Sequence, residues 1–79
     1  MRLDKYLKVS RIIKRRTIAN EACDAGRVTV NEKIARASYD VKVGDVIVVE
    51  FGSRTLKFRV VSITEAIKKE EAALMYEII

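Results

Sequence analysis

An α+β fold is predicted, with two N-terminal helices packed on a small, mostly antiparallel sheet and a short C-terminal helix. Three observations predict it. Apolar residues between Leu3 and Cys23 recur at helical spacing. From Val28 the pattern changes to alternation, with glycine turns between β-branched runs. From Ala66 to Leu74 the chain is rich in Lys, Glu and Ala.

Taken in order, Leu3 and Leu7 share one side of a short amphipathic helix from Leu3 to Val9, with Tyr6 at the core edge and Arg2, Lys5 and Lys8 on other sides. Ser10 and the cationic run after it form a connection in which Ile12 and Ile13 turn inward. Thr17 is the N-cap candidate for a second helix, because its hydroxyl can accept from an amide one turn on. Ile18, Ala19, Ala22 and Cys23 give that helix an apolar side; Asn20, Glu21 and Asp24 lie opposite. Gly26 ends it, since glycine takes the left-handed cap conformation without strain.

Val28 to Val30 reads as a strand, and Asn31-Glu32 starts a turn from which Ile34 re-enters a short strand. The small residues Ala35 to Ser38 carry little pattern. Val41 and Val43 lead to a turn at Gly44-Asp45. Val46 to Phe51 is a strand. Gly52-Ser53 turns the chain into a second strand, with Leu56, Phe58 and Val60 on one face and Lys57 and Arg59 on the other, extending towards Ile63. The two pair as a hairpin. Met75 to Ile79 fits either a last helical turn or a terminal strand.

Seventy-nine residues without proline or a Ser/Gly-rich linker make one domain, 1–79, with a small core. A deep catalytic cleft would take core that such a chain can hardly spare. The chain has no histidine, so the usual general base is missing. Cys23, without a histidine partner and on an apolar helix side, reads as a core residue. Metal-ligand spacing is absent, and the three glycines are too scattered to cradle a phosphate. No enzyme, metal or cofactor is expected. With one cysteine, no internal disulfide forms, and no apolar stretch could span a membrane or serve as a signal peptide. The expected location is cytoplasmic and the expected state a monomer.

Charge is the informative property. The first sixteen residues hold seven of the sixteen Lys and Arg against one acid, Asp4, so the formal net charge of +5 is N-terminal. Arg11, Lys14, Arg15 and Arg16 crowd the proposed start of the second helix. Cations there are unfavourable by about 0.3–1 kcal/mol each, and a bound phosphate turns that conflict into attraction. The candidate phosphate-binding residues, for a nucleic acid that the charge alone leaves as DNA or RNA, are therefore Arg2, Lys5, Lys8, Arg11, Lys14, Arg15, Arg16 and Thr17. Asp4, Ser10 and Asn20 are candidates for orienting these groups or for touching a base or ribose; Asp4 serves equally well as charge compensation at a helix N-terminus. A helix-turn-helix is disfavoured, because the connection from Ser10 to Arg16 is long and has no turn glycine.

These residues also fit a family pattern. Arg2-Leu3-Asp4-Lys5-Tyr6-Leu7, Ser10-Arg11, Arg15-Arg16-Thr17, Ala22, Gly26-Arg27-Val28-Thr29-Val30-Asn31 and Val43-Gly44-Asp45 resemble the alpha-L RNA-binding domain, named after ribosomal small-subunit protein four. The motif core spans 1–49, with a hairpin strand and C-terminal extension at 50–79. The resemblance implies two helices against a small sheet and a grip on structured RNA through phosphates and shape. The tail Lys68-Lys69-Glu70-Glu71-Ala72-Ala73, with Met75-Tyr76, points within the family to its short bacterial quality-control members. That implies large-subunit rRNA, P-site peptidyl-tRNA and the stalled large ribosomal subunit as partners, together with an RqcH-like protein that adds alanine. A general rRNA chaperone or assembly factor using the same surface, and a protein–protein adaptor using the hairpin edge, are the alternatives. In one respect the sequence departs from the family: Asn31-Glu32 stands where Asn-Gly is common, which disfavours a type I′ turn.

Overall fold

The structure, a computed structural model, describes residues 1–64 and 68–79. Helix α1 spans Leu3–Val9 and α2 spans Arg16–Asp24. The strands are β1 (Val28–Val30), β2 (Lys33–Ile34), β3 (Val46–Phe51), β4 (Arg54–Val60) and β5 (Tyr76–Ile78). They form one five-stranded antiparallel sheet in the order β2-β1-β3-β4-β5.

Both helices lie on one sheet face. Leu3, Tyr6, Leu7, Ala19 and Cys23 share a core with Val28, Val30, Ile47, Val49, Phe58 and Val60. Removing each large apolar side chain from water contributes about 1.5–3 kcal/mol, so this cluster fixes the helix pair against the sheet. Tyr6 is fully buried rather than at the core edge. It stacks on Phe58 with ring centroids 6.4 Å apart, and Phe58 meets Tyr76 edge-on at 5.5 Å. The Tyr6 hydroxyl donates to the Met75 carbonyl at 2.8 Å, tying the first helix to the C-terminal segment.

Several expectations are corrected. Strand β4 stops at Val60, because the Val61 and Ser62 amides turn away to donate to the same Met75 carbonyl. The expected short C-terminal helix is α3, Lys69–Ala72, which ends before Leu74 because Ala73–Met75 tightens into a 3-10 turn. The expected start of that helix at Ala66 and Ile67 lies outside the described residues. Of the ambiguous stretch Met75 to Ile79, Met75 ends the 3-10 turn and Tyr76–Ile78 forms the edge strand β5, paired with β4.

The first hairpin keeps a turn with both central residues left-handed, Asn31 at φ 52 and Glu32 at φ 72. Asn31 makes this possible without the usual glycine. Its side chain donates to Asp45 Oδ1 at 3.1 Å and accepts from the Val46 amide at 3.0 Å, while its own amide donates to the Val46 carbonyl. Three bonds between the turn and the start of β3 outweigh the strain at Glu32.

Candidate functional site

The site is organised by a buried acid. Asp4 falls in the first turn of α1, on the side that carries Leu3 and Leu7, and is 2% exposed. A carboxylate so placed is stable only when paired. It accepts from Arg2 through Nε at 3.2 Å and Nη2 at 3.4 Å, from the Lys5 amide at 2.8 Å and from Asn20 Nδ2 at 3.2 Å. Arg16 Nε approaches its second oxygen at 3.4 Å. Burial acts to raise the Asp4 pKa. Hydrogen bonds from Asn20, Arg2, the Lys5 amide and Arg16 outweigh it and hold the carboxyl below its ordinary value.

One carboxylate therefore fixes two arginines from different elements, Arg2 ahead of α1 and Arg16 at the start of α2. The Arg2 and Arg16 side chains remain 50% and 48% exposed, so each guanidinium turns part of its donor fork to solvent. Asn20, one turn along α2 from Arg16, locks the arrangement from the second helix.

The start of α2 differs from expectation. The helix begins at Arg16, with Arg15 as an extended N-cap residue that makes no side-chain cap bond. Thr17 is thus inside the first turn and is not the cap. The cap stands two residues ahead of Thr17, which leaves Arg16 as the first helical residue with its Nε paired to Asp4. Thr17 is exposed and lines a shallow depression of about 370 Å³ together with Asp4, Arg16, Asn20 and Glu21. Glu21 was missed in the sequence; its spacing of four from Thr17 is the signal that places it there.

The connection between the helices is built on Arg11. Its φ of 64 is left-handed, a conformation that favours glycine. The Arg11 amide donates to the Lys8 carbonyl and the Ile13 amide to the Leu7 carbonyl, closing the end of α1. Ile13 is buried and Ile12 packs against the core, so Arg11, Lys14 and Arg15 are turned outward. Among the described residues, neither these three nor Lys8 forms an ion pair. Lys5 is half-buried. Ser10 is 1% exposed and donates to the Leu7 carbonyl at 3.3 Å, which places it inside the fold rather than on this surface.

Cys23 is buried and its thiol is pushed up to about 11, first by burial and then by the charges of Asp4 and Asp24, so it stays protonated and inert. No described group of His, Cys, Asp and Glu could hold a metal ion. No described helix is long and apolar enough to cross a membrane.

The family model described as the S4 domain matches residues 1–47. A Streptococcus pneumoniae protein named RQC P-site tRNA stabilizing factor is 56% identical over 79 residues, covering all of this chain and 90% of that protein. A Bacillus subtilis protein of the same name is 53% identical over 79 residues, covering all of this chain and 92% of that protein. The Haemophilus influenzae Heat shock protein 15 homolog is 30% identical over 78 residues, covering 98% of this chain and 60% of that protein. Among solved structures, the trimeric Vibrio cholerae Heat Shock Protein 15 superposes with a TM-score of 0.92 at 28% identity, covering all of this chain and 81% of that one. The solution structure of hypothetical protein HP1423 gives 0.83 at 29% identity, covering 99% and 95%.

Proposed function

This chain belongs to the S4 domain family, and on that footing we propose that it is a non-enzymatic RNA-binding factor of bacterial ribosome-associated quality control. In this reading it binds large-subunit rRNA and P-site peptidyl-tRNA on stalled large subunits and supports alanine tailing by an RqcH-like protein. Relatives about half identical over the whole chain carry the name RQC P-site tRNA stabilizing factor, which supports the tRNA part of the reading.

The observation that carries it is the Asp4 cluster. Two half-exposed guanidinium forks converge on one buried carboxylate and keep their outer donors for an external anion. A phosphate between Arg2 and Arg16 receives charge-assisted, bidentate hydrogen bonds from groups already held in place. Thr17 and the first-turn amides of α2 add neutral donors on the same side. Asp4 offsets one of the two positive charges without touching the phosphate, because it is buried behind them. Lys5, Lys8, Arg11, Lys14 and Arg15 extend the positive surface along α1 and the connection, where they contact further phosphates of a folded RNA.

Co-sedimentation tests the reading. The protein should pellet with large subunits that carry peptidyl-tRNA and should pellet far less with empty ones. Equal binding to both would favour a general rRNA chaperone, and binding to neither would remove the ribosomal reading.

A further inference from the structure

We propose that a second cationic groove, between the β1-β2 hairpin and the segment 35–39, holds a further stretch of the same RNA backbone beyond the Asp4 cluster. The inference rests on the RNA-binding reading above and extends its surface to Lys33, Arg36 and Ser38.

The segment after β2 turns at Ala37-Ser38, where the Tyr39 amide donates to the Arg36 carbonyl at 3.0 Å, and burial alternates along it. Ala35 and Ala37 are buried, 7% and 3% exposed, which turns Arg36 and Ser38 outward. Their small side chains let the segment lie close against α1. The Asp4 amide donates to the Ala37 carbonyl at 3.2 Å and the Leu3 amide to the Tyr39 carbonyl at 2.8 Å. The strip bearing Arg36 and Ser38 is therefore fastened through its backbone to the residue that holds Arg2 and Arg16.

The groove itself, about 660 Å³ and open to solvent, is lined by Asn31, Lys33, Ile34, Arg36, Ser38 and Tyr39, with Val30 and Ala35 at its floor. None of these is acidic. Lys33 and Arg36 are exposed and make no ion pair or side-chain hydrogen bond with a described residue. Tyr39 is held in place by donating its hydroxyl to Asp45 Oδ2 at 3.0 Å. Two uncommitted cations and a hydroxyl, flanking a fixed aromatic ring and an exposed isoleucine, suit a phosphate–ribose chain: cations for phosphate, ring and aliphatic surface for sugar or base. The backbone link to the Asp4 cluster, together with the aromatic ring beside the two cations, favours RNA over an acidic protein segment.

The test compares wild type, Arg16→Ala, Lys33→Ala/Arg36→Ala and the charge-conserving Lys33→Arg/Arg36→Lys. Each is titrated with labelled bulk tRNA at several salt concentrations, with thermal melts as a folding control. The alanine pair should bind several-fold to about tenfold more weakly and reduce the log–log salt slope by about two, with an unchanged melt. The charge-conserving pair should bind as wild type does. An unchanged affinity and slope for the alanine pair, with loss in Arg16→Ala, overturns the groove and leaves the proposed function standing. Equal loss in both groove pairs overturns it as well, since charge would then not be the cause. If polyglutamate binding, rather than tRNA binding, responds to the alanine pair, the groove belongs to an acidic protein. No tRNA binding by wild type overturns both readings.

Discussion

Replacing Asp4 with asparagine separates two accounts of the N-terminal surface that predict opposite signs. Asp4→Asn removes one of eleven acids and raises the formal net charge from +5 to +6. If cations act only as a field, RNA binding should strengthen or stay equal. If Asp4 positions Arg2 and Arg16, binding should weaken despite the added charge. The stability cost follows from the bonds. Hydrogen bonds to a charged group are worth about 1.5–3 kcal/mol. Both arginines are about half exposed, so each contact falls nearer about 0.5–1 kcal/mol. Asparagine can still accept from the Lys5 amide. The sum is about 1–2 kcal/mol, or about 5–15 °C in Tm for a domain of this size. Releasing the two guanidinium forks should weaken binding about five- to tenfold, the equivalent of roughly one charge-assisted hydrogen bond.

Fluorescence anisotropy with labelled tRNA, run well below the melting range of both proteins, reads the affinity; thermal melts read the stability. The pH dependence gives a second check. The native pKa of Asp4 lies below its ordinary value of 3.8. Its stabilisation is therefore fully present above that value and is lost as pH falls through the lower native one. The stability gap between wild type and Asp4→Asn should be constant near neutrality and should narrow only in that acidic window. An Asp4→Asn protein that is folded and binds RNA as tightly as wild type, or more tightly, would refute the positioning role.

Two further substitutions probe neighbouring features. Arg11→Gly relieves a left-handed residue worth about 1 kcal/mol, partly offset by about 0.5–1 kcal/mol of added chain entropy; Tm should hold or rise by a few degrees while tRNA affinity falls several-fold, and a clear drop in Tm would contradict the strain. Tyr6→Phe removes the donor to Met75, whose carbonyl keeps the Val61 and Ser62 amides, so the loss should be about 0.5–1.5 kcal/mol in a denaturant titration with RNA affinity unchanged.

Much of the fold was legible in the sequence. The bounds of α1, β1 and β3 follow from apolar spacing, glycine and β-branched runs, which act within a few residues. The segments that were misjudged depend on distant partners. Strand β4 ends where Val61 and Ser62 meet a carbonyl more than ten residues away at Met75, and no local pattern encodes that. The Asn31-Glu32 turn is rescued by Asp45 and Val46, again across the chain. At the site, charge counting found the cations but gave Asp4 two equal roles. A readable signal was present: an acid on the apolar side of α1 must be paired, and Arg16 and Asn20 are spaced to reach it from one side of α2. The strip from Ala35 to Ser38 was opaque because its small residues show their alternation only once it is packed against α1.

The central claim is that the surface built around Asp4, from Arg2 to Thr17, is where this chain meets RNA on a loaded large subunit. Photochemical crosslinking of the wild-type protein to large subunits carrying peptidyl-tRNA, followed by peptide mapping, tests it directly. Crosslinks to tRNA and rRNA should fall on peptides containing Arg2, Arg11, Arg15, Arg16 and Thr17. Crosslinks confined to the opposite sheet face, at Val46, Val48, Lys57 and Arg59, or none at all, would contradict it.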